Sequence, residues 1–318
     1  MDCARSAVRS VLIGAGLAFA SIIGAADSPL LAARWLAPAA QQHALAFEPV
    51  ECLGLQPDPE LAGRIAIGRA AFRTPLLLGG HAARAGLSCN SCHRNGRGNP
   101  DFLFPGLSGA PGTADVTSSL MSSHRGDGVV NPVAIPDLGS PRAQLKISRA
   151  ARDPALEQFI SGLIEKEFDG PKPSALTLAG VADYVRALAP EHCREPAEQA
   201  LHLATYLSDA RAALQAALVT ESAGDAVATR LMLASARSAL GMIEERYRAP
   251  ALASERKGLL QADRELAAIQ NALDNQGGDV SLRIVAWVAT MSRWTRALQH
   301  AEARSLFNAD IHAAYAAD

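Results

Sequence analysis

Apolar residues recur at helical spacing along most of this chain. Over residues 59–72, Leu61, Ile65, Gly68 and Phe72 fall on one stripe behind Asp58 and Pro59, a pair suited to a helix start. From Ser174 onward Leu178, Val181, Val185 and Leu188 form a second stripe with Tyr184 beside it, and Pro190 stops it. Gly68, lacking a side chain, is expected to let these two helices approach closely. Past Cys193 proline nearly disappears and four further segments show heptad-like spacing: Leu203, Leu207, Leu214, Leu218; Leu233, Ala236, Leu240, Ile243; Leu252, Leu259, Leu266, Ile269, Leu273; and Ile284, Val288, Met291, Leu298. Breaks at Ser222-Ala223-Gly224-Asp225, Ala249-Pro250 and Asn275-Gln276-Gly277-Gly278-Asp279 separate them. The pattern predicts an all-α protein whose residues 194–318 form a small antiparallel helical bundle. Within the bundle, Trp287 and Trp294 read as packing, and Glu244-Glu245-Arg246 and Arg264-Glu265 as a solvated face with local ion pairs.

The beginning of the chain differs. Arg5 and Arg9 precede an uncharged, largely apolar run over residues 10–26, with small-residue triplets at Ala18-Phe19-Ala20 and Gly24-Ala25-Ala26. Residues 1–26 therefore read as a secretory signal, with export to the periplasm. An uncleaved membrane anchor is the alternative, since the run falls only slightly short of the roughly 20 apolar residues that span a bilayer. Cys3 lies ahead of the run, where a lipoprotein cysteine would not sit. Residues 27–55 read as a linker. The 318 residues leave room for two domains, and a formal net charge of −2 argues against nucleic acid or a polybasic membrane contact.

Chemistry concentrates in Cys89-Asn90-Ser91-Cys92-His93. Two thiols separated by two residues lie about one helical turn apart, so each can form a thioether with one vinyl group on the same porphyrin edge, while His93 can ligate the iron. A zinc site would need a second ligand pair, and Cys3, Cys52 and Cys193 stand alone. A thioredoxin-like dithiol would follow a β-rich run, and none precedes Cys89. The motif predicts one covalently attached haem c, and export supports it because c-type haem is attached outside the cytoplasmic membrane. The turn-rich stretch between the two bracketing helices suits a loop wrapped around a flat cofactor, with Phe102, Leu103, Phe104, Leu107, Val129, Val130, Ile135 and Leu138 as apolar contacts. Residues 56–193 are thus expected to be a cytochrome c-like haem domain.

Residues 63–77, Leu87-Ser88-Cys89-Asn90-Ser91-Cys92-His93, Ile135-Pro136-Asp137-Leu138, Glu167-Phe168-Asp169-Gly170-Pro171 and Tyr184-Val185-Arg186-Ala187-Leu188 occur in an order that resembles the bacterial cytochrome c peroxidase and MauG-like superfamily. The resemblance covers under half the chain. Members of that superfamily typically carry two such haem motifs, so that one haem relays electrons for the other, and this chain carries one. What the resemblance implies is a monohaem relative of the fold, without the two-haem peroxidase mechanism.

The sixth iron ligand sets the chemistry. Met121 is the first candidate, His124 the second, an open position the third, and His81 a weaker option. Arg73, Arg94 and Arg97 could pair with haem propionates, although exposed loop arginines are commoner. Cys52 and Cys193, one outside each bracketing helix, are expected to form a disulfide in preference to two separate thiols. The expected function is electron transfer with a periplasmic redox partner protein. The alternatives are a peroxidase or MauG-like oxidase with an open iron, and a haem sensor or assembly subunit whose bundle binds a partner or a second copy of the chain.

Overall fold

The computed structural model describes residues 30–317 apart from 127, 141–146, 152, 195–196 and 276–277. The expected signal or anchor over residues 1–26 lies outside the described residues. Residues 27–55 depart from the expected linker: after a single 3-10 turn they form helix α1 (Pro38–Ala46) and strand β1 (Phe47–Pro49). The reason is apolar burial, since Leu30, Ala33, Leu36, Ala44 and Leu45 close over Leu306 from the far end of the chain in a small core of their own.

Helix α2 (Pro59–Arg73) starts where Asp58 accepts a hydrogen bond from the Glu60 amide at 3.0 Å, with Pro59 at the first helical position. Helices α3 (Gly80–Ala85), α4 (Cys89–Cys92) and α5 (Ala155–Gly162) are short, and α5 runs into a π-helical turn at Leu163–Glu167. Helix α6 (Ala175–Ala187) is capped by the Ser174 hydroxyl, which accepts from the Thr177 amide. Helices α2 and α6 cross backbone to backbone: a Cβ on Gly68 would lie 1.9 Å from the Gly180 carbonyl oxygen, so only glycine fits there. Phe72 and Tyr184 meet edge to face beside the crossing, ring centroids 5.1 Å apart.

The bundle comprises α7 (Leu203–Ser222), α8 (Ala226–Glu244), α9 (Ala253–Asp274) and α10 (Val280–Ala301), followed by α11 (Ala309–Ala317). Each long helix packs on the next, and α10 closes back on α7. Asp225 and Asp279 cap α8 and α10, accepting from the amides of Ala228 and Leu282. The buried positions fall on the apolar stripes, with alanines at 210, 213, 216 and 217 of α7 also buried. Leu218, Leu273 and Val288 are only half-buried. Two short antiparallel pairs complete the architecture: β1 with β4 (Glu198–Ala200), and β2 (Thr113–Ala114) with β3 (Val133–Ala134). Helix accounts for 62% of the structure and strand for 5%, which settles the all-α class. Among the described residues no helix is long and apolar enough to cross a membrane.

Helix α2 also packs on α7 and α8, so one buried apolar cluster runs through both halves of the chain. The expected solvated face at residues 244–246 is another departure. Glu245 and Arg246 are buried because the chain turns inward after α8: the Leu31 amide donates to Glu245 at 2.8 Å, and Arg246 donates to the carbonyls of Leu306 and Leu45 at 2.8 and 2.9 Å. Arg264 and Glu265 do face solvent.

Candidate haem-attachment site

The motif helix α4 is a single turn held at both ends. At its start the Ser88 amide donates to the Ser91 hydroxyl at 3.0 Å, and the Ser88 side chain caps in return. At its end Asn95 and Gly96 take left-handed conformations, φ 52° and 72°, and the chain turns beneath the helix. Gly96 is required there, because a Cβ would come within 2.4 Å of the Leu188 side chain. The Asn95 amide donates to the Asn90 side chain at 2.9 Å, and Asn99 donates to the Ser91 carbonyl at 2.8 Å.

His93 Nδ1 lies 3.0 Å from the Pro136 carbonyl oxygen. A carbonyl only accepts, so Nδ1 carries the proton and the lone pair stands on Nε2. Burial pushes the imidazole pKa down to about 4, which keeps the ring neutral at neutral pH. Among the described residues Nε2 has no hydrogen-bond partner. Cys89 and Cys92 are free and half-buried, and burial pushes both thiols up to about 12. They are therefore protonated and poor nucleophiles, unlike a redox-active dithiol.

The Pro136 carbonyl is fixed in turn by its neighbour. Asp137 accepts both Arg97 contacts at 2.9 Å and the Gly139 amide at 2.8 Å. Arg97 also reaches Cys52 Sγ at 3.2 Å, and Cys52 is joined to Cys193 with Cα atoms 4.2 Å apart. The disulfide thus sits behind the turn that orients His93.

Of the distal candidates, Met121 is 2% exposed and belongs to the apolar cluster on which Cys89 and Cys92 pack. His124 is half-exposed and turned toward Asp169 at 3.8 Å. The loop that carries both is pinned from several sides. The Ser123 amide donates to Asp169 at 2.8 Å, Ser122 donates to the Lys166 carbonyl, Arg125 pairs with Glu167 at 2.6 Å, and His81 donates to the Leu120 carbonyl at 2.9 Å. Among the described residues no group of three or more His, Cys, Asp or Glu is gathered to hold a bare metal ion.

The three arginines considered for propionates are engaged with protein. Arg94 donates to the Ala44 and Phe47 carbonyls, Arg97 holds Asp137, and Arg73 holds Glu51 and Asn95 at 3.0 and 2.8 Å. Glu51 is the centre of a buried network that the sequence hides. It accepts from Arg69 at 2.8 Å, Arg73 at 3.0 Å and the Tyr184 hydroxyl at 2.6 Å, while Asp209 of α7 takes the other end of Arg69 at 2.7 Å. The network ties β1, α2, α6, the motif turn and the bundle together.

Burial alone would raise the Glu51 carboxyl, but Arg73 and Arg69, with the Tyr184 hydroxyl, more than offset it and hold its pKa at about 2 against an ordinary 4.5. A lowered carboxylate pKa means that the fold favours the charged form. The stabilisation is therefore complete above pH 4.5 and drains away as pH falls toward 2; the shift corresponds to about 3 kcal/mol. Urea unfolding from pH 7 to pH 3 is expected to show this acid loss, and Glu51→Gln to lower stability at pH 7 and flatten the slope. An unchanged slope in Glu51→Gln would remove Glu51 as its source.

The two most informative partners at this site, the Pro136 carbonyl and Glu51, are ones that periodicity cannot find. Pro136 acts through its backbone, and Glu51 lies in a segment without a clear apolar stripe.

No family model, curated protein or solved structure matches the chain. The functional reading therefore stands on the motif and its surroundings.

Proposed function

We propose that this chain is an exported c-type cytochrome that binds one haem c through Cys89 and Cys92 and transfers electrons to a periplasmic redox partner. The observation that carries the reading is His93: an immobilised, neutral imidazole whose Nδ1 is committed to a backbone carbonyl and whose Nε2 is unpartnered, one residue beyond two free thiols a helical turn apart. A ligand histidine oriented through its other nitrogen is the usual arrangement at metal centres. When bound, haem supplies reversible one-electron exchange at iron. The protein's part is to fix the ring through two thioethers, hold His93 in one tautomer, and surround the site with apolar side chains such as Phe72, whose ring centroid is 6.3 Å from that of His93.

The α2–α6 crossing beside the motif supports a cytochrome c-like arrangement, and the Cys52–Cys193 bond fits an oxidising compartment. Met121 is the distal ligand of this reading. Its burial in an apolar setting favours it over His124, which is half-exposed and faces Asp169.

Expression in a host able to attach haem c tests the proposal. One haem per chain is expected to stay with the polypeptide through denaturing acid extraction, and Cys89→Ser with Cys92→Ser to lose it completely. A wild-type protein without covalent haem would sink the reading. Met121→Ala is expected to turn a low-spin ferric spectrum high-spin while His124→Ala leaves it low-spin; a high-spin wild type that responds to peroxide would replace the carrier with a peroxidase.

A further inference from the structure

A cavity of about 290 Å³ lies behind the motif helix. Its wall takes in Asn90 and Ser91 but none of Cys89, Cys92 or His93, and it is completed by Trp35, by Ala66 and Ala70 of α2, and by α7 and α8 of the bundle. Most of the charge on this wall is matched internally, Arg69 and Arg73 by Glu51 and Asp209. Three polar groups are not.

Arg94 uses Nη2 on two backbone carbonyls; among the described residues Nε and Nη1 have no partner and no carboxylate lies within ion-pairing distance. Glu48 accepts one hydrogen bond, from Gln199 at 2.8 Å, and pairs with no cation among the described residues. Tyr206 is 8% exposed, yet its hydroxyl has no hydrogen-bond partner among the described residues. Arg94, Glu48 and Tyr206 all line this one cavity. Tyr206 is buried and Arg94 and Glu48 are half-buried, and all three keep unused hydrogen-bonding capacity on the wall of one cavity, which a ligand held there would take up.

We infer that the cavity binds a small zwitterion with an apolar body, of the α-amino acid class. Its carboxylate lies on Arg94 and accepts from the Tyr206 hydroxyl, its ammonium faces Glu48, and its side chain lies against Trp35, Ala239 and Met242. A plain carboxylate is disfavoured because Glu48 shares the wall, and a plain amine because Arg94 does. The volume, at the lower end of the range for ligand pockets, suits a molecule of leucine's size.

Calorimetric titration of the full chain with leucine, with isocaproate (leucine without its ammonium) and with isoamylamine (leucine without its carboxylate) tests this independently of haem. Leucine is expected to bind at least about tenfold tighter than either relative, the worth of one charge-assisted contact. Tyr206→Phe removes only an unpartnered hydroxyl, so the thermal midpoint should hold while leucine affinity falls about tenfold. Glu48→Gln should erase the preference for leucine over isocaproate. Isocaproate binding as tightly as leucine, no saturable binding of any of the three, or unchanged leucine affinity in Tyr206→Phe each overturns the inference.

Discussion

Gly68→Ala is expected to lower stability by about 4 kcal/mol or more, the range reserved for changes that the surrounding structure cannot absorb. The added Cβ would stand 1.9 Å from the Gly180 carbonyl oxygen and 2.7 Å from the Val181 amide nitrogen. Both obstacles are helix backbone. No rotamer change relieves the clash, and α2 and α6 would have to move apart along their whole contact, opening the packing of Phe72 on Tyr184 and the hydrogen bond from Tyr184 to Glu51. Gly241→Ala is the control: it sits inside α8, its added Cβ meets nothing within 4 Å, and it should gain about 0.5–1 kcal/mol from helix propensity. Urea unfolding followed by far-ultraviolet circular dichroism compares the two. A Gly68→Ala protein within about 1 kcal/mol of wild type would mean that the helices do not cross at this point.

Replacing Cys52 and Cys193 together by serine is expected to cost about 5 kcal/mol, the chain-entropy value for a loop closed over a sequence separation of 141 residues. The bond closes nearly the whole region between β1 and the bundle. It also stands behind Arg97 and the Asp137 turn, so its loss should loosen the carbonyl that orients His93. The expected signature is a lower urea midpoint together with faster hydrogen exchange at residues 136–139. A shift of less than about 1 kcal/mol would show that the two ends are held by other contacts, the β1–β4 pair first among them.

The long helices α2, α6 and α7 to α10 are legible in the chain because each has its own apolar stripe. The breaks read around Gly224 and before Asp279 coincide with the observed ends of α7 and α9, whereas α8 ends at Glu244, ahead of Ala249-Pro250, and runs into a 3-10 turn over Glu245–Tyr247. Gly68 was legible too, as a small residue on an otherwise apolar stripe, although its partner Gly180 was not, since a crossing point depends on which helix lies opposite. Residues 27–55 read as a linker because α1 is weakly amphipathic and its burial comes from Leu306, which is remote in sequence. Arg246 looked like a surface charge for the same reason: its carbonyl partners belong to Leu45 and Leu306, and no local pattern announces a backbone acceptor. At the site itself, the motif gave the identities of Cys89, Cys92 and His93, while orientation comes from the Pro136 carbonyl, 43 positions away.

The segment around β1 carries a consequence for timing. Its partners are Ala200 across the strand pair, Glu245, Arg246 and Leu306, all made long after it as the chain is synthesised from its amino end. Until those residues arrive the clasp cannot close, and contacts of such long range are late and slow to form. Cys89 and Cys92 are made well before that moment, so the haem attachment proposed for them would meet an open, incompletely folded chain, which the finished bundle would later lock in place.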